Sequence, residues 1–175
     1  MENFMQSNKK IWVDLGCGKR KPEGYIGIDI RKFKGVDHVL DLGKEPIPLG
    51  DNSVDVMRAL HLFEHFYPEQ LFYCIEECWR VLKPKGRIHI EVPKAGTMAY
   101  YMHPDHKIQF VENTFSFFQV PAGGIDPHGY LKHFWHVSVL ESPHDEHVLV
   151  DMYPNKPNGR FDYKEIVVDK VVESS

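Results

Sequence analysis

The segment Val13-Asp14-Leu15-Gly16-Cys17-Gly18 constrains the fold of this chain more than any other. Residues 11 to 15 form a short apolar run stopped by Gly16, the pattern of a buried strand that ends in a turn. A strand ending in Gly-x-Gly lets the backbone come close to a bound molecule, because neither glycine has a Cβ and both tolerate positive φ. In an open α/β sheet, ligands bind beyond the carboxyl ends of the strands, where the strand order reverses. Gly-x-Gly is also the sequence of a plain tight turn, so the segments that follow decide between the two.

Those segments alternate. Residues 25 to 30, β-branched and preceded by Pro22-Glu23-Gly24, predict a second strand, and residues 38 to 42 a third. Residues 54 to 60, launched from Gly50-Asp51-Asn52-Ser53, predict a fourth. Residues 68 to 82 are the clearest helix, with Pro68 in the first turn and Leu71, Phe72, Ile75, Trp79 and Leu82 at helical spacing. Lys83-Pro84-Lys85-Gly86 is read as its stop, and residues 87 to 92 as a fifth strand. A short helix is expected over 112 to 118, and two paired strands over 134 to 140 and 147 to 152; the tail from Asn155 is given no element. Strands alternating with connections and closed by a hairpin argue for an α/β layered domain, a single one over residues 1–175. About ten residues separate the first two strands and fewer the next two, where a parallel crossover takes a dozen or more. The first crossover helices are therefore expected to be shortened or absent. One sheet face is then partly uncovered, to be covered by a partner chain in a homo-oligomer or by the N-terminal segment.

The opening segment resembles motif I of the class I (Rossmann-like) SAM-dependent methyltransferases, where V-D-L-G-C-G is a common form. The likeness continues through Gly27-Ile28-Asp29, Asp41-Leu42, the run Ile47-Pro48-Leu49-Gly50-Asp51-Asn52-Ser53-Val54-Asp55, and the helix exit from Glu77 to Arg87. Five motifs in family order, over about residues 11 to 93, make the match specific. It implies a mostly parallel Rossmann-like sheet with a C-terminal antiparallel hairpin, S-adenosylmethionine (SAM) as cofactor and S-adenosylhomocysteine as product. It also implies that Asp29 accepts both ribose hydroxyls, and that Asp41 accepts from the adenine amino group with Leu42 beside it. Asp14 would hold the methionine end and order the turn Gly16-Cys17-Gly18. Without the resemblance, Asp29 and Asp41 would read as strand-end caps.

Two departures stand out. Lys19-Arg20-Lys21-Pro22 replaces a small-residue helix start, and Lys85 replaces the first glycine of the family's helix exit. With no evident first helix, backbone amides and Asp14 are expected to carry more of the cofactor. The layout resembles the minimal methyltransferases of bacterial surface-glycan gene sets and of phages.

His61-Leu62-Phe63-Glu64-His65 spells H-x-x-E-H, an inverted zinc-protease signature. On a helix, His61 and His65 would hold zinc with Glu64 as general base. The methyltransferase family often reads H-x-L-E-H after its fourth strand, so a zinc metalloprotease is the lesser alternative and no metal site is expected. The chain has 11 histidines, and three pairs are spaced by three. On a strand that spacing turns the two rings to opposite faces, so His133, His136, His144 and His147 are read as surface or turn residues. His106 differs: Pro104-Asp105-His106, with Phe110 and Phe115 beyond, resembles D-P-x-H-x-x-x-F of some small methyltransferases. A histidine can act as base near neutral pH, so His106 first and His61 second are the candidate catalytic bases. Tyr100, Tyr101, Phe115, Phe117, Phe118 and Trp135 are candidates to line an acceptor pocket.

The expected activity is methyl transfer from SAM to an oxygen or nitrogen of a small-molecule or glycan acceptor, with protein or RNA second. A SAM-binding regulatory or assembly protein without catalysis is the alternative from another class. The net charge of -4 draws no nucleic acid, and the early basic clusters (19 to 21, 31 to 34) are read as a solvated face. No apolar run approaches the roughly 18 residues of a membrane helix, and no signal peptide is read at the N-terminus. Cys17, Cys74 and Cys78 are too few and oddly numbered for a disulfide framework, which makes a reducing cytoplasm the expected location.

Overall fold

The computed structural model describes residues 9–119 and 129–157. Its strands are β1 (Trp12–Leu15), β2 (Tyr25–Asp29), β3 (His38–Val39), β4 (Val54–Leu60), β5 (Leu82–Pro93), β6 (Trp135–Leu140) and β7 (His147–Pro154). They form one sheet in the order β3-β2-β1-β4-β5-β7-β6. Neighbours from β3 to β5 are parallel, and β7 runs antiparallel to both β5 and β6. This is the expected mostly parallel Rossmann-like sheet with a C-terminal antiparallel hairpin. The chain steps outward from β1 to β3 and returns to place β4 beside β1, so the order reverses between β1 and β4. Their carboxyl ends, at Gly16 and His61, therefore flank the crevice where such sheets bind ligands.

Period-two alternation gives the sheet two unlike faces. On one face the register aligns Val13, Met57, Ile88 and Met152 in one row and Leu15, Ala59, Ile90 and Val150 in the next. These side chains are fully buried in a core shared with Leu71, Cys74, Ile75, Cys78 and Val81 of α1 (Pro68–Val81). Each aliphatic side chain buried this way stabilises the fold by about 1.5–3 kcal/mol. On the opposite face the row between them reads Asp14, Arg58, His89 and Asp151. Arg58 forks onto Asp14, and Asp151 accepts from Arg87 at 2.9 Å and lies 2.7 Å from His89 Nδ1.

The connections from β1 to β2 and from β2 to β3 contain no helix, as their lengths predict, and the one from β3 to β4 contains none either. After β1 the chain lies flat on the polar face, where a first crossover helix would pack. A Cβ on Gly27 would fall 2.4 Å from Lys21 Cδ and 2.8 Å from Cys17 Sγ. Asp37 pins this arrangement, with one carboxylate oxygen accepting from Lys21 Nζ and from Gly27 N, both at 2.7 Å. The face for which a covering partner was expected thus carries a short loop and ion pairs, beside an exposed Trp12 packed edge-on against Tyr25. The N-terminal segment proposed to cover it, residues 1–8, lies outside the described residues.

Two expected boundaries moved. Lys83-Pro84-Lys85-Gly86 ends α1 but lies inside β5 instead of forming a separate loop. A register irregularity opposite Val54 and Val56 absorbs the proline and glycine. The expected helix over 112 to 118 forms as a 3-10 helix, Glu112–Phe118. A four-residue helix, α2 (Met98–Tyr101), was not anticipated.

Candidate functional site

Gly16 and Gly18 both adopt left-handed backbone, at φ 66 and 54. Any side chain pays for that conformation, and a Cβ on Gly16 would also sit 2.9 Å from Leu62 Cδ1. The turn is held from β2. Gly16 N and Cys17 N donate to Ile28 O at 2.8 and 3.1 Å, and Gly18 N donates to Asp29 Oδ2 at 2.9 Å. Asp29 Oδ1 accepts from Arg31 N at 2.8 Å. Two corrections follow. Asp29, not Asp14, orders the glycine turn, and the three turn amides donate within the protein instead of standing free for a cofactor.

Asp14 receives Arg58 Nε and Nη2 at 2.8 and 2.9 Å, a bidentate pair. Burial pushes its carboxyl up, with the Arg58 fork pulling the other way. Burial, reinforced by Asp14 and Asp29, also pushes the Cys17 thiol up to about 11, so it stays protonated at neutral pH. Cys74 and Cys78 are likewise buried free thiols.

A cleft of about 910 Å³ opens over this turn, bounded by Asp14, Gly16, Cys17 and Gly18. Its other walls include Lys19, Arg20, Arg31 and Arg58, and Phe33 sits under the cations of Lys19 and Arg31. Part of the basic sequence read as a solvated face therefore lines the site. Asp29, Asp41 and Leu42 are not among its lining residues. Asp41 accepts from Gly43 N at 3.0 Å and pairs with Lys44, while Leu42 is buried in the core.

A second cavity of about 390 Å³ adjoins the first, and Arg20 and His61 belong to both. Glu64, His65, His103, His106 and His147 line it. His61, the first residue past β4, has φ 52, which is uncommon for a side-chain-bearing residue and is concentrated at functional sites. Its Nδ1 lies 3.4 Å from Glu64 Oε1 and its Nε2 3.5 Å from Glu91 Oε1. Between these carboxylates the imidazolium is held up to about 9. His106 Nδ1 lies 2.8 Å from Tyr100 O. A carbonyl only accepts, so Nδ1 carries a proton here, and Nε2 lies 3.9 Å from Glu64 Oε1.

The H-x-x-E-H segment does not form the protease arrangement. Only Phe63–His65 is helical, as a 3-10 helix, and His61 lies outside it. His61 groups with Glu91 and His147, whereas His65 groups with Glu64 and His106. The expected aromatic pocket is also corrected: none of its six candidates lines the histidine cavity. Phe115, Phe118 and Trp135 are core, and Tyr100 contributes its carbonyl to His106. His147 was read as a surface or turn residue, yet it edges the cavity with its ring 5.1 Å from that of His61.

Residues 13–90 match the family model described as "Methyltransferase domain". No curated protein matches the sequence. The fold is similar to that of a SAM-dependent methyltransferase from Archaeoglobus fulgidus (19% identity, TM-score 0.60, covering 83% of this chain and 86% of that one). It is also similar to a TehB-like SAM-dependent methyltransferase from Corynebacterium glutamicum (16% identity, TM-score 0.57, 83% and 80%). A third likeness is to phosphoethanolamine N-methyltransferase 1 of Haemonchus contortus, in complex with phosphoethanolamine and S-adenosylhomocysteine (14% identity, TM-score 0.58, 83% and 39%). The family match over residues 13–90 and this strand order give the chain the fold of the class I SAM-dependent methyltransferases, a family whose members use SAM as cofactor. Among the described residues no helix is long and apolar enough to cross a membrane.

Proposed function

We propose that this enzyme moves the methyl group of SAM to an oxygen or nitrogen of a small-molecule or glycan acceptor seated in the histidine cavity. The observation that carries the proposal is the junction of the two cavities, with Arg20 and His61 common to both, at the β1–β4 reversal. A cofactor over the glycine turn would present its reactive end to a molecule next door, as in-line attack requires.

The residues present suit SAM. At Gly18, which lines the cleft, an added Cβ would meet no protein atom within 4 Å, and each Asp29 oxygen accepts one backbone N–H and keeps a lone pair for a ribose hydroxyl. We assign Asp14, Gly16, Cys17, Gly18 and Asp29 to cofactor binding, with Arg58 and Arg20 as cations for the methionine carboxylate. Asp41 and Leu42 are assigned to the adenine end on the family resemblance alone. The bound cofactor supplies a methyl carbon activated by the sulfonium, and its sulfur keeps the electron pair when the S–C bond breaks.

The acceptor forms the new O–C or N–C bond and loses a proton into the histidine cavity. We place its activation on His106, whose Nδ1 is fixed by Tyr100 O and whose Nε2 is turned toward Glu64. His61, the second candidate base, lies between two carboxylates and serves as a proton-bearing donor. A homo-oligomer formed on this face would cover the Asp14–Arg58 and Arg87–Asp151 pairs together with the exposed Trp12. Incubating the purified protein with methyl-labelled SAM and fractionated cell extract tests the proposal. Label is expected in a low-molecular-weight or glycan fraction; label confined to protein or RNA, or none in any fraction, would refute it.

A further inference from the structure

Glu64 is fully buried, and neither carboxylate oxygen has a hydrogen-bond partner. Removing a carboxylate from water costs several kcal/mol when nothing compensates it, so buried charges are paired or coordinate metals. Among the described residues its ion-pair partners are both histidines, His61 at 3.4 Å and His106 at 3.9 Å, beyond hydrogen-bond reach or at its margin. One ligand atom each of Glu64, His65 and His106 lie within 4.8 Å of one another.

The surroundings of His106 are those of a metal ligand. A ligating histidine characteristically gives its other ring N–H to a carbonyl or carboxylate, which fixes the ring and raises its basicity. His106 Nδ1 meets Tyr100 O at 2.8 Å, whereas His65 Nδ1 is buried without a hydrogen-bond partner, 3.0 Å from Asp105 Oδ2. The 3-10 turn and the loop after α2 are tied together by Lys107 N and Ile108 N, which donate to Glu64 O at 2.7 and 3.2 Å.

We infer that Glu64, His65 and His106 hold a divalent first-row transition ion, zinc by ligand type, in the wall of the histidine cavity. Two imidazoles and one carboxylate form a ligand set of catalytic zinc, which leaves a coordination position for water or substrate. Tetrahedral bonds of about 2.0–2.1 Å set ligand atoms roughly 3.3–3.4 Å apart, so the group closes on the ion by side-chain shifts of about 1 Å. The site departs from the expectation of no metal and also from H-x-x-E-H. Here Glu64 is a ligand, His61 is not, and His106 comes from a separate loop. Its purpose rests on the methyltransferase reading, in which the ion held by His106 then takes over from the free His106 Nε2 the activation of the acceptor. The open position faces the acceptor, whose hydroxyl it binds and acidifies, and the released proton leaves to water in the cavity.

The test is a cobalt(II) titration of the full chain after chelation and dialysis, followed by visible absorption and by zinc competition. One equivalent of cobalt should give ligand-field bands that zinc abolishes. Glu64→Gln and His106→Gln should each weaken binding at least tenfold. His147→Ala, in the neighbouring group, should leave cobalt binding unchanged. Circular dichroism melts verify folding of each variant, and if Glu64→Gln unfolds, His106→Gln decides. Absence of cobalt binding, binding that folded Glu64→Gln or His106→Gln retains, or binding that His147→Ala removes would overturn the inference. SAM calorimetry on the metal-free protein reports separately, so a failed metal site and a failed methyltransferase reading are distinguishable.

Discussion

The two cavities of this molecule are made in different ways. The cofactor cleft is built largely from one stretch around β1 and β2, and its shape depends on backbone: left-handed glycines, and a turn tied to Ile28 O and Asp29. The histidine cavity is assembled from residues that are far apart in the chain, at 61 to 65, 93 to 106 and 147. It depends on side-chain charge around a buried, unsatisfied carboxylate. Changes to the first should therefore act on cofactor affinity, and changes to the second on turnover.

The largest separation is expected at His106. Substituting alanine should lower kcat by about 10²-fold or more, the low end of what proton-handling residues contribute. SAM affinity should stay within about twofold, because His106 is not part of the cofactor cleft. Steady-state kinetics paired with calorimetry reads both, and a fall in SAM affinity matching the fall in kcat would merge the two cavities into one functional unit.

Gly27→Val should act on the first cavity. Its side chain would meet Lys21 and Cys17 in the loop that replaces the first crossover helix. Overpacking costs about 1–3 kcal/mol, so SAM affinity should fall roughly tenfold or more as the turn shifts. Unchanged affinity would mean the loop is not coupled to the cofactor.

The smallest functional effect is expected at Lys156, outside both cavities. Its Nζ donates to Leu82 O and Asn52 Oδ1, both at 2.6 Å, and lies 4.3 Å from the Trp79 ring centre. Lys156→Met should cost about 1–3 kcal/mol by leaving these acceptors unmet, with SAM binding intact. Burial lowers the Lys156 ammonium to about 8, from an ordinary value of 10.5. Between those two pH values the unfolded chain binds the extra proton, so Lys156 adds stability as pH rises through that window. In urea melts, the gap between native and variant protein should widen from pH 7.5 to pH 9.5; a gap that narrows would contradict the buried-ammonium account.

The same contrast explains what could be read from sequence. β4 was predicted over its observed bounds because Asn52-Ser53 and His61 punctuate an apolar run. β5 was predicted short because Pro84 and Gly86 are stop signals, and only pairing with β4 lets a strand absorb them. In the cofactor cleft, glycine spacing is local information and was legible. The Asp14–Arg58 pair was not, because it depends on which strands become neighbours. His147 reaches the second cavity because β7 pairs antiparallel with β5, setting Pro93 opposite His147. No pattern near either residue encodes that register. Glu64 was visible as part of a motif, but its burial without a partner is a tertiary fact.

Calorimetry of SAM binding to the native chain and to Gly16→Val tests the central claim most directly. Valine at φ 66 adds a left-handed penalty of about 1–2 kcal/mol to a contact that already falls 2.9 Å from Leu62 Cδ1. The prediction is one SAM site per native chain and no measurable heat from the variant, with its fold intact by circular dichroism. No binding by the native chain at high micromolar SAM, or equal binding by both, would contradict a cofactor site built on this turn.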